Sequence, residues 1–122
     1  MEKSHEVDTM KKIECFIRPE KLEVVKEALF EKGIKGMSIY EVRGHGNQRG
    51  MLLTGRAGQY CVEWIEKLKM EIVINDQVNL DEIVDVIIEA AKTGNPGDGK
   101  IFIIPVEDAI RIRTKERGEE IL

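Results

Sequence analysis

The sequence has little of what membrane, disulfide-rich and nucleic-acid-binding proteins require. Its 122 residues include no apolar run near the roughly 20 residues of a membrane span, and its only cysteines are Cys15 and Cys61. Two distant cysteines indicate neither a disulfide framework nor a zinc site, and they fit a reducing cytoplasm. The net charge of −4 opposes binding to phosphate backbones unless basic residues cluster. We therefore expect a soluble, globular, cytoplasmic protein without a nucleic-acid partner.

The length predicts one domain with one hydrophobic core. The first nine residues, MEKSHEVDT, are polar and lack the apolar segment of a signal peptide. We interpret residues 1–9 as an N-terminal extension or an alternative start, and residues 10–122 as the domain.

Apolar periodicity predicts the element order βαββαβ. The strands are expected at 12–18, 36–44, 66–75 and 100–106. One helix opens at Pro19 and stops at Gly33, and the other is capped by Asn79 and stops at Gly94. The last strand, KIFIIPV, is a continuous apolar run and is expected in the centre of the sheet.

This order predicts an α+β, ferredoxin-like fold, in which two helices cover one face of a four-stranded antiparallel sheet. The opposite face is left bare, and Phe16 and Val73 lie on it among charged residues. A bare apolar face invites a partner. We therefore expect a homo-oligomer built sheet to sheet.

Two glycine clusters interrupt this pattern. The first, VRGHGNQRGMLLTGRAGQY over residues 42–60, is too long and too flexible for a hairpin turn. The second, TGNPGDGK from Thr93 to Lys100, combines three glycines with a lysine. Glycines let backbone N–H groups approach a ligand closely, so this segment fits phosphate binding although it is not a Walker A loop. A helix C-cap followed by a turn is the alternative.

The segment AIRIRTKERG places Arg111 and Arg113 two residues apart. In an extended chain both guanidinium groups project to the same side, which suits phosphate oxygens. A solvated charged tail is the alternative.

Taken in order, MKKIECFIRPEKLEVVKEAL, GMSIYEVRGHGNQRG, EKLKMEIVI, TGNPGDGKIFIIPVEDAIRIRT and ERGEE resemble the PII nitrogen-regulatory signal-transduction family, with its GlnK and GlnB members. The resemblance spans Met10 to about Ile121. It implies a homotrimer, not an enzyme, with three nucleotide sites between subunits. Residues 46–60 match the T-loop, the long finger that responds to ATP, ADP and 2-oxoglutarate and docks on target proteins.

The resemblance also implies roles for individual residues. It places nucleotide binding at Ser38, Gly44, Gly46, Asn47, Gln48, Val73, Gly97, Asp98, Gly99, Lys100, Arg111 and Arg113. It places 2-oxoglutarate binding at Gln48, Arg49, Gly50 and Lys67, with Gln48 completing the coordination of the Mg²⁺ that accompanies ATP. Arg111 and Arg113 would reach the nucleotide from the neighbouring subunit.

The tip of the T-loop implies a target. Arg56 matches the arginine that family members insert into an ammonium channel, so an ammonium transporter is the expected partner and the route to the membrane, with other nitrogen-metabolism enzymes possible. Tyr60 matches a tyrosine that some bacterial members have uridylylated. The chain departs from the family pattern at Asn47 and at Met51 to Thr54, which puts the modifying enzyme and some targets in doubt.

Other functions fit parts of the pattern. A phosphate-handling hydrolase of the same fold would need a nucleophile or base, and only Asp98 and Glu107 are near the second glycine cluster. An RNA-binding domain would need exposed aromatics, for which only Phe16 and Phe102 are candidates. A PII-like relative could instead sense another effector or regulate nitrogenase.

Overall fold

The computed structural model describes residues 10–45, 51–55, 58–62, 65–118 and 121–122, and for residues 51–55 and 58–62 it describes the backbone alone. A 3-10 turn, Pro19–Lys21, precedes the first helix. The elements in chain order are β1 (Met10–Ile17), α1 (Leu22–Glu31), β2 (Ser38–Gly44), β3 (Met51–Gly55), β4 (Gly58–Val62), β5 (Ile65–Ile74), α2 (Leu80–Ala91) and β6 (Lys100–Val106). Neither helix in the described residues is long and apolar enough to cross a bilayer.

The main sheet has the order β2-β5-β1-β6, and every neighbouring pair is antiparallel. With two helices on one face, this arrangement confirms the predicted ferredoxin-like fold. The central position predicted for residues 100–106 is wrong, because β6 lies at an edge of the described sheet. A continuous apolar run does not require burial on both faces, and Phe102 and Ile103 of β6 are 47% and 40% exposed.

The hydrophobic core lies between the helices and one face of the sheet. Alternate residues of β1 and β5 point into it, as period-2 spacing predicts, and helical residues spaced by three or four meet them. The buried residues are Ile13, Cys15, Ile17, Val25, Leu29, Ile34, Leu68, Met70, Ile72, Ile74, Ile83, Ile87 and Ala91. Burial raises the pKa of the Cys15 thiol to about 11, so this cysteine stays protonated and unreactive at neutral pH.

Local signals fix the helix ends. The Oδ1 atom of Asn79 accepts a hydrogen bond of 3.1 Å from the backbone N–H of Glu82, which confirms the predicted N-cap of α2. After α1, Gly33 has φ of 88°, the left-handed conformation that commonly ends a helix and that glycine adopts without a Cβ penalty.

The opposite face of the sheet, called here the open face, has no helix over it in the described residues. At its centre Glu14 and Glu71 are direct cross-strand partners. Lys12 bridges them at 3.1 and 3.6 Å, and Lys69 does so at 3.9 and 3.2 Å. The ring of alternating charges offsets the repulsion that two facing carboxylates would otherwise produce.

Apolar groups flank this ring, as predicted. The rings of Phe16 and Phe102 meet edge to face, with centroids 6.1 Å apart, and Val73 is half-buried farther along β5. The open face thus offers aromatic and aliphatic surface around a compensated charge centre.

The long connection between β2 and β5 contains an element that the sequence analysis did not predict. Strands β3 and β4 pair in antiparallel register, from Met51 opposite Val62 to Gly55 opposite Gly58, as a separate two-stranded sheet. Residues 51–55 and 58–62 therefore form a ribbon rather than irregular loop. The run MLLTG contains one β-branched residue, Thr54, which suits a strand, but the surrounding glycines obscured that signal.

Candidate nucleotide and effector site

The segment from Thr93 to Lys100, called here the glycine loop, connects α2 to β6 and depends on its glycines. Gly94, Gly97 and Gly99 have φ values of 92°, 97° and 117°, which residues with a Cβ rarely adopt. Gly99 also approaches β1 closely, since a Cβ there would lie 1.7 Å from the carbonyl oxygen of Phe16. Only glycine fits at position 99.

The side chain of Asp98 turns back into its own loop. Its Oδ2 atom accepts bonds from the N–H groups of Thr93 at 2.7 Å and Gly94 at 3.0 Å. Its Oδ1 atom accepts bonds from the Thr93 hydroxyl at 2.6 Å and from Nε of Arg18 at 3.1 Å. These donors, above all the Thr93 hydroxyl, hold the pKa of Asp98 well below its usual range, so the carboxylate is charged at neutral pH.

Arg18 holds the same loop from outside. Besides the bond to Asp98, its guanidinium donates to the carbonyl oxygen of Pro96 at 2.8 Å. Arg18 directly follows β1, and the β1–β6 register, in which Phe16 faces Lys100, brings Arg18 opposite Asp98 when it is continued by two residues. Strand pairing therefore positions this contact.

Lys67, predicted to bind 2-oxoglutarate, lies beside the glycine loop, which is predicted to bind phosphate. It lies on β5, and its ammonium donates a hydrogen bond to the carbonyl oxygen of Gly97. Burial, followed by the nearby charge of Arg18, lowers the pKa of Lys67, against the opposing influence of Asp98. The predicted effector lysine thus contacts the predicted phosphate loop within one chain.

The same loop leaves donors available for an anion. Within the described residues, the loop's internal hydrogen bonds use the N–H groups of Thr93, Gly94 and Asn95 and not those of Gly97 or Asp98. Lys100 is exposed at the start of β6 and forms no salt bridge with another described residue. Backbone N–H groups beside a lysine are a suitable environment for phosphate.

Ser38 and Val73 belong to a different part of the surface. They line a cavity of about 500 Å³ together with Gly33, Ile34, Lys35, Gly36, Met37, Glu71, Ile74, Asn75, Val78, Ile121 and Leu122. Val73 lies six residues from Lys67 on β5, a separation of about 20 Å at the usual strand rise. One chain therefore does not bring this cavity and the glycine loop to the same small ligand.

The two C-terminal arginines are not arranged as an extended chain would place them. Residues 112–114 form a turn, closed by the N–H of Arg111 donating to the carbonyl of Glu116 at 2.9 Å. The Arg111 guanidinium pairs with the Glu116 carboxylate at 2.6 Å, whereas Arg113 is exposed. The prediction of two side chains on one side of an extended strand is wrong, because backbone bonds across the turn bend this segment.

Several predicted residues lie outside the described residues: Gly46, Asn47, Gln48, Arg49, Gly50 and Arg56. Gly44 ends β2, and Tyr60 lies within β4, where the backbone alone is described. The roles predicted for these residues stay predictions. No group of three or more His, Cys, Asp or Glu residues able to hold a metal ion occurs in the described residues.

Sequence reasoning did not assign roles to Arg18 or Thr93. Arg18 was recognisable only as the end of a strand, and its contact with Asp98, 80 positions away in the sequence, depends on the pairing of β1 with β6. Thr93 looked like an ordinary residue after a helix. A polar hydroxyl five residues before an aspartate in a glycine-rich loop was the only available signal.

Comparison with known proteins identifies the chain's relatives. The family model described as "Nitrogen regulatory protein P-II" matches residues 10–116. The chain belongs to the PII nitrogen regulatory protein family. Members of this family are regulatory proteins, so the prediction that the chain is not an enzyme is confirmed at the level of the family.

Individual PII proteins are similar over nearly the whole chain. The nitrogen regulatory protein P-II of Nostoc punctiforme is 55% identical over 111 residues, covering 91% of this chain and 98% of that protein. The Haemophilus influenzae protein of the same name is 49% identical over 113 residues, covering 93% and 100%. The crystal structure of Arabidopsis thaliana PII bound to citrate is 38% identical, with a TM-score of 0.74, and covers 93% and 92%.

Proposed function

We propose that the chain is a PII-type signal transducer that binds ATP or ADP, accompanied by Mg²⁺, together with 2-oxoglutarate. It acts in the cytoplasm and regulates nitrogen assimilation by docking residues 46–60 on a target, with an ammonium transporter as the first candidate. The observation that carries this proposal is the hydrogen bond from Lys67 to the carbonyl of Gly97. It puts a cation suited to a carboxylate in contact with a loop suited to phosphate.

Charge supports a carboxylate ligand at this position. Burial lowers the pKa of Lys67, and the nearby positive charge of Arg18 lowers it further. An added carboxylate would relieve this repulsion. The Arabidopsis relative was solved with citrate, a small polycarboxylate, so a ligand of this chemical class has a precedent in the family.

The separation of the two half-sites supports an assembly of copies. The cavity at Ser38 and Val73 is too far from the glycine loop of the same chain for one nucleotide to occupy both. A second copy that brings its own cavity and its exposed Arg113 to the glycine loop would complete the site. We propose a homotrimer in which each nucleotide lies between two subunits.

The described residues fit the nucleotide better than they fit a metal. Gly97, Asp98 and Lys100 provide donors for phosphate oxygens, and no acidic cluster for a cation is present among them. Magnesium would therefore arrive with the nucleotide, held by its phosphates and by the Gln48 side chain, and would supply a hard cation for the keto acid.

Isothermal titration of 2-oxoglutarate with Mg-ATP, with Mg-ADP and without nucleotide tests the proposal. We expect binding with Mg-ATP alone, since ADP lacks the terminal phosphate that completes the site. Lys67→Ala should abolish 2-oxoglutarate binding while ATP still binds, and Lys26→Ala, on α1 and away from the open face, is the control. Unchanged 2-oxoglutarate affinity in Lys67→Ala would refute the site assignment.

A further inference from the structure

Asp98 has the wrong charge for a residue in a loop that binds polyphosphate. A carboxylate directed at a phosphate would repel it. In the structure the carboxylate instead accepts four hydrogen bonds from three residues of its surroundings: Thr93, Gly94 and Arg18. The guanidinium of Arg18 balances its charge, and the carboxylate stabilises the conformation of the loop.

The Thr93 hydroxyl is the centre of this arrangement. It donates to Oδ1 of Asp98 at 2.6 Å and accepts from the N–H of Asn95 at 3.1 Å. One hydroxyl therefore ties the beginning of the glycine loop to its middle and to its end. A β-branched residue without the hydroxyl would keep the packing volume and lose both bonds.

The loop needs such ties because its sequence favours disorder. Three glycines between residues 94 and 99 leave many backbone conformations open to the unligated chain. The backbone must be restricted to one of these conformations before the N–H groups can converge on one anion. Preorganised donors bind more tightly because this ordering has already taken place. Gly97 and Asp98, whose N–H groups have no partner inside the loop, lie beside the residues that Thr93 and Asp98 fix.

We propose that Thr93 and the Asp98 carboxylate are positioning residues for phosphate binding: they hold the glycine loop so that its free N–H groups and Lys100 meet the nucleotide's phosphates. The inference rests on the proposed nucleotide function and deepens it. It assigns the Asp98 side chain to the loop's architecture, leaving its backbone N–H for the ligand.

The test compares Thr93→Val, Thr93→Ser and Asn95→Ala in the full chain, with ATP and AMP as probes in the presence of Mg²⁺. Thr93→Val keeps the shape but removes the hydroxyl, and Thr93→Ser restores it. Asn95 lies in the same loop with an exposed side chain that forms no hydrogen bond to a described residue, so Asn95→Ala controls for a general perturbation.

We expect Thr93→Val to weaken ATP binding by roughly tenfold, the usual effect of losing a hydrogen bond to a charged group. AMP, with fewer phosphates to position, should be weakened less, so the ratio of ATP to AMP affinity should fall. Thr93→Ser and Asn95→Ala should bind both ligands and unfold thermally as the unmodified protein does, whereas Thr93→Val, which also loses a bond to the Asp98 carboxylate, should have a lower thermal midpoint but remain folded at the titration temperature.

Three results would contradict the positioning role or the nucleotide function on which it rests. If Thr93→Val binds ATP normally, the positioning role is wrong while the nucleotide site stands. If ATP and AMP are weakened equally, or Ser does not rescue, the loop is damaged rather than repositioned, and the inference fails. If the unmodified protein binds no adenine nucleotide, the proposed function itself fails, and that outcome is recognised before any variant is compared.

Discussion

Gly99 lies against the backbone of Phe16 so closely that a methyl group at Gly99 would meet the Phe16 carbonyl oxygen at 1.7 Å. This contact joins the end of the glycine loop to the central strand β1. It explains why position 99 needs glycine independently of any ligand. The loop's last residues are therefore positioned by the sheet, and its first residues by Asp98.

Gly99→Ala should destabilise the protein on the order of 3 kcal/mol, because the new Cβ collides with backbone and φ of 117° is strained for alanine. Gly94→Ala is the matched control: Gly94 has a φ of 92° but nothing within 4 Å of the added Cβ, so only strain of about 1 kcal/mol applies. Urea denaturation of both variants measures the difference. Equal losses would show that the Phe16 contact is unimportant.

The helices and buried strand faces could be predicted from the sequence because their signals are local. Ile13, Cys15 and Ile17 alternate within a few residues, and the Asn79 cap is set by a neighbour three positions away. The position of β6 in the sheet could not be predicted, since its apolar run is equally compatible with a central strand and with an edge strand whose apolar side chains are partly exposed.

The candidate site likewise combines residues that could be recognised from local sequence with contacts that could not. Its glycines and Lys100 are contiguous and were recognised directly, and Lys67 was found through the family resemblance. Arg18 meets Asp98 only because β1 and β6 pair over a long sequence separation. The turn at residues 112–114, closed by Arg111 and Glu116, overrode a two-residue spacing that would have aligned the arginines in a strand.

The open face is the expected subunit interface, and Phe102→Glu should disrupt it. The Phe102 side chain is 47% exposed and contacts Phe16, so a carboxylate there would be buried without a partner on assembly. Light scattering after size exclusion should give a trimer mass for the unmodified protein and a lower mass for the variant. Val24→Glu, at a 52% exposed apolar position on α1, should remain a trimer, and dissociation of both variants would argue against this interface.

The Asp98 network predicts an acid-dependent loss of stability. The pKa of Asp98 is lowered in the folded protein, first by the Thr93 hydroxyl, so its contribution is present above the ordinary value of 3.8 and decreases as the pH falls below that value. The free energy of unfolding of Asp98→Asn should be lower than that of the unmodified protein at pH 7, and the gap should narrow in acid. A gap that is independent of pH would contradict this prediction.

The Asn79 cap should contribute about 1 kcal/mol to stability, because its side chain satisfies the Glu82 N–H at the start of α2. Asn79→Ala removes that acceptor, and Asn79→Asp should retain it. Denaturation of the unmodified protein and the two variants at equal concentration tests whether Asn79→Ala alone loses stability. Equal stability of all three would mean that water replaces the cap without loss.

Effector binding should be coupled to a proton at Lys67. In the unligated protein burial and Arg18 lower the pKa of this lysine, whereas a carboxylate bound beside it would raise the pKa again. Just below the ordinary lysine value of 10.5, 2-oxoglutarate binding with Mg-ATP should therefore take up a proton. Titrations in buffers of different ionisation enthalpy measure this uptake. Lys67→Arg keeps a positive charge that does not titrate in this range, so any binding that it retains should lack the alkaline proton uptake. Equal uptake in both proteins would place the titrating group elsewhere.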